Sequence, residues 1–300
     1  MANEKQRHAE VETDIALAQR LLSTQFPDWA ALSLSRVHAH STDNDMYRLG
    51  DDMAVRLPRR DGAVTPMDKE HVWLPKLAPL LPAPVPLPLA KGAPQDEYPY
   101  PWSVVRWIEG ENPPALVNDK AFALDIAAFL RTLHAIDASD GPRPGAHNFW
   151  RGTPLAVRDA NMRERFGWLS DLDDIAAIIA AWEADLPTPA RERTPCWIHG
   201  DMQRGNLLMR DGCLAGVLDW SALGVGDPAG DMSVAWNLFG PEARAAFRAA
   251  MSVDDDTWRR GRAWALVEGV LALSYYRAKN DAIARAGRRL IDTVLADHAS

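Results

Sequence analysis

Five residues whose types suit chemistry lie in one stretch, Cys196 to Asp231: His199, Asp201, Asn206, Asp219 and Asp231. The stretch reads as a short apolar strand, a polar loop and a hairpin. Leu207-Leu208-Met209 and Leu214 to Leu218 supply the hairpin strands, and Arg210-Asp211-Gly212 supplies the turn, where glycine readily takes positive φ. Asp201 precedes the first strand and Asp219 follows the second. Antiparallel pairing is therefore expected to draw Asp201, Asn206 and Asp219 toward one point. Phosphoryl transfer needs such a set: a carboxylate to orient or deprotonate an attacking hydroxyl, and oxygen ligands to hold Mg²⁺ against the phosphates. Any one of these aspartates could instead cap a turn. The joint pattern, with apolar strands on both sides, favours a site.

Protein kinases meet the same needs with H-R-D-x-x-x-x-N followed by D-F-G. Here the corresponding residues are His199-Gly200-Asp201, Asn206 and Asp219-Trp220. Together with Gly205, Leu218, Gly226-Asp227-Pro228 and Asp231, this pattern resembles the aminoglycoside phosphotransferase family. That family is a branch of the protein-kinase-like superfamily that also holds choline, macrolide and other small-molecule kinases. The resemblance covers most of the chain and is specific to the superfamily, not to a substrate. It implies an α+β, bilobal protein-kinase-like fold, with a small β-rich N-lobe built on an antiparallel sheet and a larger, mainly helical C-lobe. It also implies Asp201 as catalytic base, Asn206 and Asp219 as Mg²⁺ ligands, ATP or GTP as phosphoryl donor, and His199 and Asp231 in structural roles.

The elements that must position these groups can be read in order. Val11, Ile15, Ala18, Leu21 and Leu22 recur at helical spacing, which predicts an amphipathic helix over about 10–25. Strands are predicted at Leu32–Val37, Met46–Leu49 and Met53–Leu57, with Gly50-Asp51-Asp52 turning between the last two. In the implied N-lobe, the loop His40 to Asn44 would fold over the nucleotide phosphates, with Ser41 and Thr42 as contacts. The loop has no glycine, and a plain surface loop is the alternative. Ala54-Val55-Arg56-Leu57-Pro58 stands where the superfamily carries its phosphate-contacting lysine, so the cation here is Arg56. Glu70, in a helix expected over Asp68–Leu77, is its candidate partner. The alternative is an edge-strand arginine. Arg56-Leu57-Pro58-Arg59 also resembles the macrolide kinases.

Residues 75–101 hold nine prolines and are predicted to be extended or polyproline II rather than helix. They lead into a strand, Trp102 to Ile108, and then into Glu109-Gly110-Glu111-Asn112-Pro113-Pro114. This order fits a kinase hinge, with the nucleotide base bonding backbone near Trp107 and Ile108. The expected lobes are 1–106, binding nucleotide, and 107–300, carrying the catalytic loop and the substrate-binding helices. In the second, Phe122, Ile126, Phe129, Leu130 and Leu133 make an apolar stripe that ends at His134, read as a core-edge histidine rather than a ligand. Residues 139–161 read as an irregular connection. Further helices are expected at 174–184, 232–239, 241–251, 256–279 and 281–296. Glu268, among Trp264, Leu271 and Leu273, is a candidate substrate contact, with a helix-surface glutamate as the alternative.

Composition narrows the classes. The net charge of −8 and the absence of any basic block argue against nucleic acid as partner. Six of the eight excess negative charges fall after Arg106, which would attract a cationic small molecule. Met1–Glu12 has no apolar core of a signal peptide, and no apolar run reaches membrane-spanning length. A cytoplasmic protein, monomer or homodimer, is expected. Cys196 and Cys213 are expected as free, buried thiols. Three function classes result: a small-molecule kinase, an inactive nucleotide-binding relative, and a metal hydrolase using His199 and Asp201 as ligands. The hydrolase lacks a second ligand cluster, and an inactive relative would have lost the base or metal ligands. The kinase leads.

Overall fold

The computed structural model describes residues 10–37, 43–95, 97–189 and 195–299. The chain divides into two units, one of Met1–Glu111 with Ala215–Ser221 and the other of Asn112–Leu214 with Ala222–Ser300.

The first unit is built on an antiparallel sheet. Helix α1 (Ile15–Gln25) precedes strands β1 (Leu34–Val37), β2 (Asn44–Leu49) and β3 (Met53–Pro58). Helix α2 (Val64–Leu77) follows, and then β4 (Pro88–Gly92) and β5 (Trp102–Arg106). The five strands lie in the order β1-β2-β3-β5-β4, with Arg56 of β3 opposite Met46 of β2 and Ser103 of β5. Every residue of central β3 is buried. Leu17, Leu21 and Leu22 of α1 pack with Tyr47, Val55, Leu57, Trp102 and Val104 in one core, which is why the helix face carries its leucines at that spacing.

Three expectations change here. Helix α1 starts at Ile15, because Asp14 caps it by accepting the Leu17 N–H at 2.7 Å. Helix α2 starts at Val64 rather than Asp68, ends at Leu77 after running through Pro75, and passes into a 3₁₀ turn at Ala78–Leu80, so the helical structure extends into the proline-rich run. A proline this close to a helix end removes only the bond to the His71 carbonyl, while buried Leu74 and Leu77 hold the turn. Strand β5 ends at Arg106 rather than at Ile108.

The second unit is mainly helical. Its elements are α3 (Lys120–Ala135), α4 (Asp159–Trp168), α5 (Ile175–Asp185) and strand β6 (Cys196–Ile198). Strand β7 (Leu207–Arg210) is followed by a turn with Asp211 and Gly212 at φ 54° and 80° and then by β8 (Cys213–Val217), whose residues from Ala215 on belong to the first unit. Positive φ at both turn residues is the type I′ geometry whose twist matches a two-residue hairpin. Strand β9 (Gly224–Gly226) pairs with β6, and α6 (Val234–Asn237), α7 (Pro241–Met251), α8 (Asp255–Tyr276) and α9 (Asp281–His298) complete the unit. Phe122, Phe129, Trp182, Trp197, Phe239, Phe247 and Trp264 are fully buried in its core.

Helix α4 begins inside the segment expected to be irregular. Only Met162 and Phe166 of it are buried, too sparse a stripe to announce a helix. Of the helix expected over 232–239, the first two residues belong to a 3₁₀ turn, Pro228–Ser233, and α6 takes only four, Val234–Asn237. Cys196 and Cys213 are free, but Cys213 is exposed and Cys196 half-buried, so the expected burial fails where β8 begins at the hairpin turn. Among the described residues no helix is long and apolar enough to cross a membrane.

Candidate functional site

In the first unit, a buried strand cation meets a buried helix carboxylate. Arg56 Nη1 and Glu70 Oε2 form an ion pair, with Glu70 only 2% exposed. Burial pushes the Glu70 carboxyl above the usual carboxylate range against the pull of Arg56. Burial also works against the Arg56 charge, but Glu70 and then Asp219 outweigh it and hold the guanidinium above its ordinary value. Glu70 Oε1 is buried without a hydrogen-bond partner.

Asp219 reaches this unit through the returning segment Ala215–Ser221. Fully buried Trp220 anchors that segment and donates its indole N–H to the Val217 carbonyl at 3.0 Å. Val217 N–H donates to Pro84 O at 3.0 Å. Asp219 itself is exposed, has φ 54°, and accepts the Ser221 N–H at 3.1 Å. A non-glycine residue in the left-handed region carries strain of about 1–3 kcal/mol, a feature found where surroundings over-determine a side chain's direction. Lys69, next to Glu70 on α2, donates its Nζ to Ser221 O at 2.8 Å. Burial brings its amine down to about 8, with Glu70 and Asp219 pulling the other way. Sequence reasoning missed Lys69.

Of the other expected nucleotide contacts, Ser41 and Thr42 lie outside the described residues. Trp107 and Ile108 follow β5. The Trp107 N–H donates to Asp52 O at 2.8 Å, so in this conformation it is committed within the unit.

In the second unit, Asp231 organises the loop that follows β6. Its carboxylate is fully buried and accepts the His199 N–H at 3.1 Å and the Gly200 N–H at 2.7 Å. His134 Nε2 donates to it at 2.9 Å, which gives the histidine at the end of the α3 stripe a role in holding the loop. Gly200 sits at φ +80°, and a Cβ there would lie 2.7 Å from Ala222 O, so only glycine allows this approach. Beyond it, Asp201 N–H donates to His199 Nδ1 at 3.3 Å.

The Asp201 side chain is 22% exposed. Its Oδ2 accepts from Asn206 Nδ2 and from Gln203 Nε2, both at 2.9 Å. Asn206 Nδ2 also donates to Asp201 O at 2.9 Å, which turns the amide nitrogen inward to the loop. Asn237 Nδ2 holds Met202 O at 2.9 Å, and Asn112 Nδ2 holds Leu207 O at 2.9 Å. The loop is thus fixed at its start, middle and end by side chains distant in sequence. Asp227 ties the 3₁₀ turn carrying Asp231 to α8, accepting from Arg260 Nε at 2.7 Å.

Glu268 of α8 is largely buried, its side chain 12% exposed, and burial pushes its carboxyl up to about 7 against the pull of Arg151. It accepts from Ser233 Oγ at 2.9 Å and from Arg151 Nη1 at 3.2 Å. Arg151 Nη2 lies 3.7 Å from Asp201 Oδ1. Arg151 was not a sequence candidate; its surroundings, Asn148-Phe149-Trp150-Arg151-Gly152, are the aromatic part of a Gly, Pro and Arg-rich connection.

Asp219 of the first unit offers a carboxylate and Asn206 of the second an amide oxygen, both hard oxygen donors of the kind Mg²⁺ takes together with phosphates and water. Among the described residues no group of three His, Cys, Asp or Glu could hold a metal on its own.

The sequence pattern of the phosphotransferase enzyme family matches residues 35–264. Among solved structures, APH(2")-IIIa in its GDP and kanamycin complex is similar, with TM-score 0.73 and 21% identity over 94% of this chain and 99% of that one. A streptomycin-ATP-APH(2")-IIa ternary complex is similar at TM-score 0.59 and 19% identity, over 93% and 99%. Macrolide 2'-phosphotransferase MphH from Brachybacterium faecium, as apoenzyme, is similar at TM-score 0.60 and 21% identity, over 91% and 98%. No curated protein matches significantly. These likenesses establish the α+β, two-lobed kinase-like fold.

Proposed function

Because the chain belongs to the phosphotransferase enzyme family, we propose that it moves the terminal phosphoryl group of ATP or GTP to a hydroxyl of a small molecule. One observation carries the reading most directly: Asp201 is partly exposed on a loop whose backbone is pinned by Asp231, with Oδ2 held by two side-chain amides. That is how a carboxylate is presented to a substrate proton rather than spent on a turn.

In this reading Asp201 accepts or orients the proton of the acceptor hydroxyl for in-line attack. Arg56, fixed by Glu70, places positive charge at the nucleotide phosphates. Asn206 and Asp219 would hold Mg²⁺, which when bound supplies charge neutralisation across the phosphates. Most of the rate gain then comes from positioning and fixed electrostatics. The first unit serves the nucleotide and the second the acceptor. Neighbours with aminoglycosides and a macrolide phosphotransferase on the same fold support an acceptor among hydroxylated antibiotics. The acidic excess of the second part suits a cationic one. We place the enzyme in the cytoplasm, where the nucleotide is.

The test is a panel of aminoglycosides, macrolides and hydroxylated amines assayed by nucleotide consumption coupled to product mass. Asp201→Asn is expected to bind nucleotide normally and to lose turnover by about two to four decades, the range for general-base loss. Turnover near wild type in that variant removes Asp201 from the role.

A further inference from the structure

Arg158 and Arg165 are two guanidinium groups of the second unit that the fold encloses without neutralising. Arg158 caps the start of α4 and Arg165 lies seven residues on, two helical turns away, so both stand on one side of the helix. Both residues are half-buried. Arg158 Nε, Arg165 Nε and Arg165 Nη1 are buried without a hydrogen-bond partner, and among the described residues no carboxylate pairs with either side chain. Burial brings Arg158 down to about 10, with the charge of Arg151 pushing the same way. Arg163, on another side of the same helix, shows the ordinary arrangement: it bonds Asp159 at 2.9 Å and Glu183 of α5 at 3.3 Å. A charge taken from water normally finds its counter-charge within the protein. Two on one helix face without one describe a site whose counter-charge comes from outside the chain.

Aromatic rings hold these arginines instead. Arg165 Cζ lies 3.9 Å from the ring centroid of Trp168, which is itself exposed, and Arg158 Cζ lies 5.4 Å from that of Trp264 on α8. Stacking fixes the plane of a guanidinium and presents its edge for a forked contact with a carboxylate or phosphate. Arg277, the C-cap of α8, donates to Trp168 O at 3.2 Å, so α8 runs beside α4 from Trp264 to its end. The Trp264 ring also carries Arg151 at 5.2 Å, and Arg151 Nη2 is 3.7 Å from Asp201 Oδ1. The arginine face therefore begins one indole away from the pair that Arg151 makes with Asp201. Glu268 is engaged by Arg151 at 3.2 Å rather than by Arg158 or Arg165. The acidic excess of the second part is a sum over its whole length; on this face the sign is reversed.

We propose that Arg158 and Arg165 form an anion site for the acceptor: the small molecule whose hydroxyl meets Asp201 carries a carboxylate or phosphate group that these two guanidiniums bind. The inference rests on the kinase reading and narrows its acceptor class.

Wild type, Arg158→Gln, Arg165→Gln and the double variant are compared, with circular dichroism for the fold and nucleotide Kd for the first unit. Calorimetry with inorganic phosphate and with benzoate, at saturating nucleotide so that the nucleotide site is filled, is the direct arm and needs no known acceptor. At least one probe is expected to bind wild type, and the double variant to bind it about 10- to 100-fold more weakly, the worth of a charge-assisted hydrogen bond. The kinetic arm pairs acceptors that differ in charge: hydroxy acids beside their methyl esters, and sugar phosphates beside the free sugars. The charged member is expected to be preferred about tenfold or more in kcat/KM, and the preference to vanish in the double variant through acceptor KM, with nucleotide Kd unchanged. Which pair shows the preference separates carboxylate from phosphate. If the double variant does not fold, the single variants carry the same comparison. Probes that do not bind, probe binding that survives the double substitution, or a wild-type preference for the neutral member of each pair overturns the inference and leaves the kinase reading standing. A chain that binds neither ATP nor GTP overturns the kinase reading, and the acceptor role with it, whatever the probes show.

Discussion

Lys69 Nζ donates to the Ser221 carbonyl at 2.8 Å, joining residues 152 apart in sequence within the first unit. The bond clamps the segment that carries Asp219 onto helix α2, one residue from Glu70. Two buried cations, Arg56 and Lys69, therefore lie in the field of Glu70 and Asp219. A hydrogen bond from a charged donor contributes about 1.5–3 kcal/mol. Lys69→Met keeps length and apolar stem but loses the donor. Amides around Trp220 and Ser221 are expected to exchange hydrogen about tenfold faster or more, and Mg²⁺-dependent nucleotide affinity is expected to fall with them. Exchange mass spectrometry and calorimetry check this. Unchanged exchange would mean that Trp220 and the Val217–Pro84 bond fix the segment without Lys69.

Gly200→Ala addresses the loop of the second unit. The new Cβ would lie 2.7 Å from Ala222 O at a φ of +80°, so the backbone must shift or bear the strain. The expected loss is about 1–3 kcal/mol of stability in denaturant titration. Because the shift displaces Asp201, kcat should fall more than nucleotide affinity. Equal stability and turnover in the variant would show that Asp231 tolerates a different loop path.

How far these groups could be seen in the sequence depends on how local their determinants are. His199, Asp201, Asn206 and Asp231 share one stretch, and its flanking strands and turn residues are legible there. Arg56 and Glu70 follow from strand and helix order. Lys69 does not, because Asp68-Lys69-Glu70 reads as an ordinary solvated helix face; its burial is created by Ala215–Ser221 returning to that unit. Arg151 is hidden for a similar reason: it sits among arginines, glycines and prolines without periodicity, and its partners Glu268 and Trp264 come from α8. Helix α4 was illegible because only two of its residues face the core.

Glu268 gives a pH prediction. Arg151 faces it directly, Arg158 across Trp264 and Asp201 beyond Arg151, while Ser233 supplies a hydroxyl. Its carboxyl rises from an ordinary 4.5 to about 7, burial being the main cause. The folded chain therefore binds the proton more tightly than the unfolded one. That stabilisation is fully present below 4.5 and is lost as pH rises through 7. Glu268→Gln lacks this dependence. Relative to wild type, the variant should gain up to about 3 kcal/mol between pH 4.5 and 8. Denaturant titrations at several pH values measure the difference. A constant difference across that window would show that the proton affinity of Glu268 is the same folded and unfolded.

Arg56 carries the last prediction. It lies in the middle of a wholly buried strand, opposite Met46 and Ser103, with its side chain 10% exposed and Nη1 turned to Glu70. A guanidinium is planar and forked, so one nitrogen can bond a carboxylate while others reach the nucleotide phosphates. A lysine ammonium is a strongly hydrated point charge that would be desolvated here and would have to divide one centre between Glu70 and phosphate. Arg56→Lys is expected to lower kcat/KM for the nucleotide by about tenfold, equivalent to roughly 1.4 kcal/mol. Arg56→Ala should cost more in both activity and stability. It leaves Glu70 buried without the Arg56 cation, and Glu70 Oε1 already has no hydrogen-bond partner. Kinetics with varied nucleotide, read beside denaturant titrations, separate the two effects. Wild-type kinetics in Arg56→Lys with reduced stability would assign Arg56 to the architecture of the sheet and not to the phosphates.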